Sequence, residues 1–442
     1  MSTPASTIDQ RVHQNIGDWT EVTLTTALTA SVAVISTSLN EYDDANDDHY
    51  NGYWCYVTNF ANSTKDRKIY DYTTTGGSCA VRGANFATDV ANKATVRIYR
   101  YSYTSTIRAI NDAMRELSDH LFRYIDDRSL ILGNAIWDGH FEYWTSSSAL
   151  TFWTASSAGT QLAVTAAAST RGALGSTSLK YTTASTTDWM YQSLTENPRL
   201  QGLQGKSVSG YVWTMPETAK DPTLVIYTSQ AAGSATVQTL QSSTATAREA
   251  NVWSLIEHDN QTLNDDLTTL EVRLYSKSST KYSLWDNCRI IDSSIREYLL
   301  PEVFQDGDVC QVYIQVSGDA DKYADDIMPK TWEPIYNWET FHNGSYKFIR
   351  IPMQGNGQQI RLVGTSPLTE LTTFTGTTEV DGKYLDLLVA YSCYCLFRNE
   401  MGVASSQDTE RLQERRDYWW AIAHELMRTN RMVAPPRFMR IG

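Results

Sequence analysis

The sequence predicts an α+β protein that is mainly β, in which a β-sandwich is inserted into a discontinuous domain. Short runs of alternating polar and apolar residues recur along most of the chain, and the 13 Trp and 26 Tyr favour strands. Two regions, 107–121 and 384–426, instead carry apolar residues at helical spacing. At Gly133 an amphipathic helix is expected to end, and an aromatic-rich, Ser/Thr-rich run continues from there to about Asp292.

Length and composition limit the number of domains and the classes of function. A chain of 442 residues suggests two to four domains, and a 41% hydrophobic content is enough for sizeable cores. The net charge of −13 is spread along the chain, which argues against a nucleic-acid-binding arm. The six cysteines have no metal-site spacing and are expected to be buried free thiols in a reducing compartment. We expect no secretion leader and no membrane span, and therefore synthesis in the cytoplasm.

Residues 1–133 are predicted to form a small β domain that leads into the first helix. Strand-like segments separated by tight turns indicate a small barrel or sandwich. These segments are 23–38, 53–58, 68–72, 79–81 and 96–101. A cap at 104–106 then begins a helix whose apolar stripe faces a core or a partner helix. The stripe consists of Ile107, Ile110, Met114, Leu117 and Leu121.

Residues 134–291 are predicted to form the inserted domain. Seven of the 13 Trp fall in this segment, and eight short segments alternate in polarity. Such a pattern favours two stacked antiparallel sheets, as in a sandwich or jelly roll. The segments are 179–181, 189–192, 208–213, 224–227, 252–256, 270–275, 284–285 and 288–291.

Four stretches of the insertion resemble carbohydrate-binding-module-like jelly rolls in order and spacing. They are 134–144 (NAIWDGHFEYW), 172–180 (GALGSTSLK), 205–211 (GKSVSGY) and 285–290 (WDNCRI). The resemblance implies a structural calcium ion near Glu142 and Asp286, whose hard oxygens suit calcium. Without the ion, Glu142 would be an ordinary surface acid. The resemblance also implies rings that stack on sugars, for which Trp153, Trp189, Tyr191 and Trp253 are candidates; the alternative is that these rings fill the core.

The rest of the chain is predicted to contain a second β segment, 292–383, and a C-terminal helical region, 384–442. Strands are expected at 309–316, 332–338, 346–351 and 360–363, and 295–300 reads as a short helix or strand. Two apolar stripes separated by Gly402 then predict a pair of antiparallel helices with a capping box at 405–408.

The sequence on both sides of the insertion resembles head–tail adaptor (connector) proteins of tailed bacteriophages. The similar stretches are 107–117 (IRAINDAMREL), 359–363 (QIRLV), 387–391 (LLVAY) and 406–408 (SQD) with the helix that follows. In that family a helical bundle carries a small β domain and packs around the portal in a dodecameric ring. The resemblance implies a C-terminal segment that docks on the portal, and its candidate residues are Arg428, Arg431, Pro435, Pro436, Arg437, Phe438 and Arg440.

The main functional prediction is therefore a virion structural protein at the head–tail interface. Its partners would be the portal protein, neighbouring copies and tail or head-completion proteins, and genomic DNA would pass through its channel without sequence-specific binding. The alternative is a carbohydrate-binding tail or host-attachment component. A polysaccharide-cleaving enzyme is disfavoured because no local carboxylate signature is present. We predict no catalytic residue, and no cofactor other than the calcium ion; copy number, host and tail type stay open.

Overall fold

The computed structural model describes residues 2–28, 33–89, 93–156, 160–165, 176–230, 237–242, 247–277, 279–316, 331–402 and 406–437. The chain divides into two compact units. Unit 1 comprises Met1–Arg123 and Pro367–Val433, and unit 2 comprises Tyr124–Ser366 and Ala434–Gly442. The segment after the insertion is therefore divided, because 292–366 belongs to the same unit as the insertion itself.

The described residues contain four helices and 27 strands. The helices are α1 Ala5–Asn15, α2 Tyr103–Glu116, α3 Gly382–Met401 and α4 Ser406–Thr429. The strands are β1 Thr3–Pro4, β2 Thr20–Thr23, β3 Ala33–Ile35, β4 Trp54–Val57, β5 Asp66–Thr73, β6 Ser78–Val81, β7 Thr95–Tyr99, β8 Arg123–Asp127, β9 Trp144–Ser146, β10 Ala149–Leu150, β11 Thr154–Ala155, β12 Thr160–Val164, β13 Ser178–Thr182, β14 Trp189–Ser193, β15 Ser207–Pro216, β16 Thr223–Gln230, β17 Val237–Gln241, β18 Ser254–Thr262, β19 Leu267–Tyr275, β20 Tyr282–Ile291, β21 Glu297–Leu299, β22 Asp308–Gln315, β23 Trp332–Ile335, β24 Glu339–Asn343, β25 Tyr346–Arg350, β26 Ile360–Ser366 and β27 Thr377–Thr378.

The larger sheet of unit 1 has six antiparallel strands in the order β2-β7-β4-β5-β6-β3, and β1 and β27 form a separate antiparallel pair. The strands predicted at 53–58, 68–72, 79–81 and 96–101 are β4 to β7 of this sheet. The turn between β5 and β6 contains Gly77, whose φ of +59° lies in the left-handed region. A Cβ atom there would lie 2.0 Å from the backbone oxygen of Ser36, so only glycine fits.

The helices of unit 1 share one apolar core, which includes Ile8 of α1, Ile110 of α2 and Leu388 of α3. Helix α1 was not predicted, because its three buried apolar residues, Ala5, Ile8 and Val12, include only two large ones, which are too few to reveal a stripe. Helices α3 and α4 run antiparallel, because Lys383 at the start of α3 accepts a hydrogen bond from Asn430 just after α4, whereas Met401 at the end of α3 lies 3.9 Å from Arg416, earlier in α4. The capping box predicted at 405–408 is not tested, because the side chains of these residues are outside the described part of the structure.

Helix α2 differs from its prediction at both ends. Its cap is Ser102, whose hydroxyl accepts a hydrogen bond from the Ser105 N–H at 3.0 Å, rather than a residue of 104–106. The helix ends at Glu116, and the chain does not remain helical until Gly133. The apolar stripe predicted a longer helix because Leu117 and Leu121 continue its spacing. Both side chains are buried, but they lie in the turn after the helix. Gly133 instead lies in a loop of unit 2 with a φ of +84°.

Residues 134–291 form a two-sheet β-sandwich of the jelly-roll class, as predicted. One sheet has the order β11-β14-β19-β16-β17, and the other has the order β12-β13-β20-β15-β18. The pairings are antiparallel, and the core between the sheets is formed by buried side chains such as Met190, Leu274 and Trp285. The segments predicted at 284–285 and 288–291 are parts of one long strand, β20.

Unit 2 also contains two smaller sheets, with the orders β23-β22-β26-β8 and β21-β25-β24, and the two-stranded pair β9-β10. The two smaller sheets share an apolar core that includes Phe304, Ile349 and Leu362. The segment 295–300, predicted as a short helix or strand, contains strand β21. Strand β24 was not predicted because its sequence, ETFHN, has few apolar residues.

Candidate functional site

The outer surface of the sheet β11-β14-β19-β16-β17 carries an unusual concentration of aromatic rings. Side chains alternate along β19, so Leu270, Val272 and Leu274 are fully buried while the intervening residues point outward. Six of the outward residues of the three central strands are partly exposed and lie next to one another, and we call these six the aromatic face. They are Trp189 and Tyr191 of β14, Tyr227 of β16, and Glu271, Arg273 and Tyr275 of β19.

Strand register brings these residues together. Between β14 and β19, Trp189 lies opposite Tyr275 and Tyr191 lies opposite Arg273. Between β16 and β19, Tyr227 lies opposite Glu271. Directly opposed side chains in antiparallel strands are close enough to interact, so three strands contribute to one continuous patch.

Arg273 lies at the centre of the aromatic face. Its guanidinium carbon is 3.7 Å from the ring centre of Tyr227 and 4.7 Å from that of Trp189. Its Nε donates a hydrogen bond to Oε2 of Glu271 at 2.8 Å, and its Nη1 lies 3.4 Å from the hydroxyl of Tyr275. The side chain is 13% exposed, so these contacts hold a charged group in place at a largely covered position.

The remaining rings have their own contacts on this face. The rings of Trp189 and Tyr275 are 5.2 Å apart and tilted by 33°. Burial, together with the negative charges of Glu196 and Glu271, raises the pKa of the Tyr191 hydroxyl. Tyr191 therefore presents a neutral phenol at physiological pH, and the face as a whole combines aromatic rings with one ion pair.

The four predicted sugar-stacking residues have different locations. Trp189 and Tyr191 are on the aromatic face. Trp153 is 2% exposed and belongs to the sandwich core, where its Nε1 donates to the backbone oxygen of Asp138 at 3.1 Å, so its ring has no face free for a ligand. Trp253 immediately precedes β18, in the opposite sheet, and is not part of the aromatic face.

Sequence reasoning missed Tyr227, Glu271, Arg273 and Tyr275. A signal for three of them was present, because alternation in the segment 270–275 places positions 271, 273 and 275 on one side of a strand. Tyr227 gave no comparable signal, since its neighbours on the face depend on the pairing of β16 with β19.

The two predicted calcium ligands are engaged with hydrogen-bond donors. Oε1 of Glu142 accepts from the N–H groups of Ser176 and Thr177 at 2.6 and 2.8 Å, and Oε2 accepts from the Ser176 hydroxyl. Asp286 is buried and accepts from the Ser178 hydroxyl at 3.0 Å. Among the described residues, no group of three or more His, Cys, Asp or Glu side chains is arranged to hold a metal ion. These two carboxylates do not fit calcium, because calcium needs six to eight oxygen ligands that converge on one point and the described side chains form no such group.

The predicted docking residues lie in two different environments. Arg428, near the end of α4, is exposed and lies 3.7 Å from Glu425, and Arg431 is exposed as well. In unit 2, the backbone oxygen of Pro436 accepts a hydrogen bond from Nε2 of Gln311 at 3.0 Å. Arg437 lies 3.6 Å from a carboxylate oxygen of Asp308. Pro435 is partly exposed, whereas Phe438 and Arg440 lie outside the described residues.

The six cysteines are free and buried, as the sequence predicted. Within the part of the chain that the structure describes, none of the helices has the length and apolar character needed to cross a membrane.

Comparison with known proteins finds solved structures that resemble part of this chain. No family model and no curated protein matches the chain. The solved structures that resemble it include the C-terminal family 22 carbohydrate-binding module of Clostridium thermocellum Xyn10B, at 17% identity, a TM-score of 0.28 and coverage of 37% of this chain and 94% of that one. The CBM22-1 xylan-binding domain of Paenibacillus barcinonensis Xyn10C matches at 18% identity and a TM-score of 0.26, over 37% of this chain and 96% of that one. The enzymatically active domain of bacteriophage CBA120 tailspike protein 4 matches at 12% identity and a TM-score of 0.26, over 36% and 21% of the two chains. At these scores we draw no functional argument from the likenesses.

Proposed function

We propose that the β-sandwich of unit 2 binds a carbohydrate chain on the aromatic face. The observation that carries the proposal is the set of four outward rings, Trp189, Tyr191, Tyr227 and Tyr275, grouped around one arginine on a single sheet surface. Sugars present apolar C–H faces together with hydroxyl groups. Aromatic rings supply apolar contact with a polar edge, and charged side chains supply hydrogen bonds to hydroxyls, so the two kinds of group match the two surfaces of a sugar.

The electrostatics of the face favour a neutral carbohydrate. Arg273 and Glu271 form an ion pair at 2.8 Å, so their charges offset each other within the face. Tyr191 and the other rings add no charge. A ligand with carboxylate or sulfate groups would have to compete with Glu271 for the only guanidinium of the face. A neutral polyol can instead accept from Arg273 and donate to Glu271 without separating them.

The proposal is tested by measuring the binding of a panel of neutral oligosaccharides to the full chain by isothermal titration calorimetry. We expect at least one oligosaccharide to bind, and Trp189→Ala to weaken it at least tenfold, which corresponds to about 1.4 kcal/mol. Trp253→Ala is the matched control, because it removes a partly exposed Trp that lies just before β18 of the opposite sheet. Absence of binding across the panel, or an equal loss with Trp253→Ala, would overturn the proposal.

A head–tail adaptor function remains a second proposal, with a virion location and a portal protein as partner. The observation that favours an assembly role is the surface of α4, where Tyr418 and Trp420 are exposed. Large exposed apolar groups on a helix are available to another protein chain. Negative-stain imaging of the purified chain, alone and with a portal protein, tests it: a ring supports the adaptor, whereas monomers that do not bind the portal contradict it. Both proposals describe a binding protein, and we propose no catalytic role.

A further inference from the structure

A cavity of about 320 Å³ lies in unit 2 and shares no residue with the aromatic face. Its wall is formed by Ser176 and by three segments: the end of β8 with the residues that follow, the loop that opens the sandwich, and residues 298–303. The apolar part of the wall includes Ile136, Trp137, Leu300 and Val303. Cavities of this volume and composition bind small organic molecules or side chains.

Four carboxylates line the same cavity: Asp127, Asp138, Glu142 and Glu302. Asp127 accepts two hydrogen bonds from Ser129, and Asp138 accepts the backbone N–H groups of Glu142 and Tyr143. Within the described residues, none of the four forms an ion pair with Lys or Arg. Like charges placed together at a partly buried site repel each other, and a cation in the cavity would relieve that repulsion.

An independent observation at His140 also indicates a missing ligand. Its side chain lines the cavity and is 8% exposed, and its Nδ1 has no hydrogen-bond partner among the described residues. A buried polar atom without a partner costs free energy, so such atoms in folded proteins usually have one. The nitrogen of a neutral imidazole accepts a hydrogen bond, and carboxylates accept only. The polar groups of the cavity therefore match a ligand that donates.

We propose that this cavity binds an organic cation, namely an ammonium or guanidinium group carried on an apolar body. The cationic head would lie among the carboxylates and donate to Nδ1 of His140, and the body would pack against Trp137 and Leu300. A bare metal ion is disfavoured, since no metal-holding group of three exists among the described residues and the volume far exceeds that of an ion. The same chemistry is offered by a free amine and by a Lys or Arg side chain of a partner protein.

The test uses the full chain and ligand-observed NMR titration with n-pentylammonium, n-pentylguanidinium and the neutral isostere n-pentanol. We expect at least one of the cations to bind at least tenfold more tightly than pentanol. Glu302→Gln should weaken the bound cation at least tenfold, because it removes one charge from the wall at an exposed position where the fold tolerates the change. Asp306→Asn is the matched control, an exposed acid in the same segment that does not line the cavity.

The proposal fails if neither cation binds at millimolar concentration, if pentanol binds equally well, or if Asp306→Asn weakens binding as much as Glu302→Gln. A further titration distinguishes a protein side chain from a free amine as the natural ligand. A short peptide with one lysine, compared with its acetyl-lysine form, should bind more tightly than n-pentylammonium if the natural ligand is a protein side chain. The free amine should bind more tightly if it is a small molecule.

Discussion

Replacement of Arg273 by methionine is expected to destabilise unit 2 and to abolish the organisation of the aromatic face. Methionine retains an unbranched apolar stem but removes the guanidinium group. The change therefore isolates the contacts that the charged head makes with Tyr227, Trp189 and Glu271.

The magnitude follows from those three contacts. A cation over an aromatic ring contributes about 0.5–1 kcal/mol at exposed sites and more when water is excluded. Arg273 is largely covered, so about 1 kcal/mol for each of the two rings is a reasonable value. The ion pair with Glu271 adds roughly 0.5 kcal/mol. The free energy of unfolding should thus fall by about 2–3 kcal/mol in the variant.

A double-mutant cycle separates this effect from general loss of packing. Urea unfolding, followed by Trp fluorescence, is measured for the wild type, Arg273→Met, Tyr227→Leu and the double variant. We expect a coupling energy of about 1 kcal/mol between the two positions, because each single change already removes the contact between guanidinium and ring. A coupling near zero, or a total loss below about 0.5 kcal/mol for Arg273→Met, would refute the contact as a stabilising interaction.

Two further predictions concern unit 1. Burial raises the pKa of the Asp66 carboxyl from 3.8 to about 6, so the stability linked to this group is fully present below pH 3.8 and is lost as the pH rises through about 6. Asp66→Asn should flatten that dependence, and an unchanged difference in urea midpoint between pH 4 and pH 7 would contradict it. Gly77→Ala should lower the free energy of unfolding by more than about 1 kcal/mol, because its Cβ would collide with the Ser36 oxygen in a left-handed turn. Gly76→Ala, which has open space at its Cβ, is the control that should lose less.

Local patterns in the sequence were enough to predict the sandwich but not the aromatic face on one of its sheets. Alternation in 270–275 correctly indicates a strand, since the side chains at 270, 272 and 274 are buried. The aromatic face also requires that β19 pair with β14 and β16, which lie far away in the chain. Register between distant strands is decided by packing of the whole core, and no short stretch of sequence records it.

The locations of the candidate site residues also depend on neighbours that are distant in the sequence. Trp153 and Trp189 are equally aromatic and both lie near short strands, yet one fills the core and the other faces outward. Glu142 has the residue type of a calcium ligand, but its oxygens hold the backbone of Ser176 and Thr177. Residue type defines which interactions are possible, whereas the neighbours that the fold supplies decide which of them occur.

The two proposed sites of unit 2 can be distinguished by a reciprocal test. The aromatic face pairs its one arginine with Glu271, whereas the cavity holds four carboxylates without a described counterion, so the sites favour a neutral and a cationic ligand respectively. Because they share no residue, Trp189→Ala should leave the binding of the cationic probe unchanged within twofold, and Glu302→Gln should leave oligosaccharide binding unchanged. Loss of both ligands in either variant would mean that the substitution disturbs the fold of the unit, and neither loss could then be assigned to a site. Selective loss in each variant would establish two independent binding sites within one compact unit.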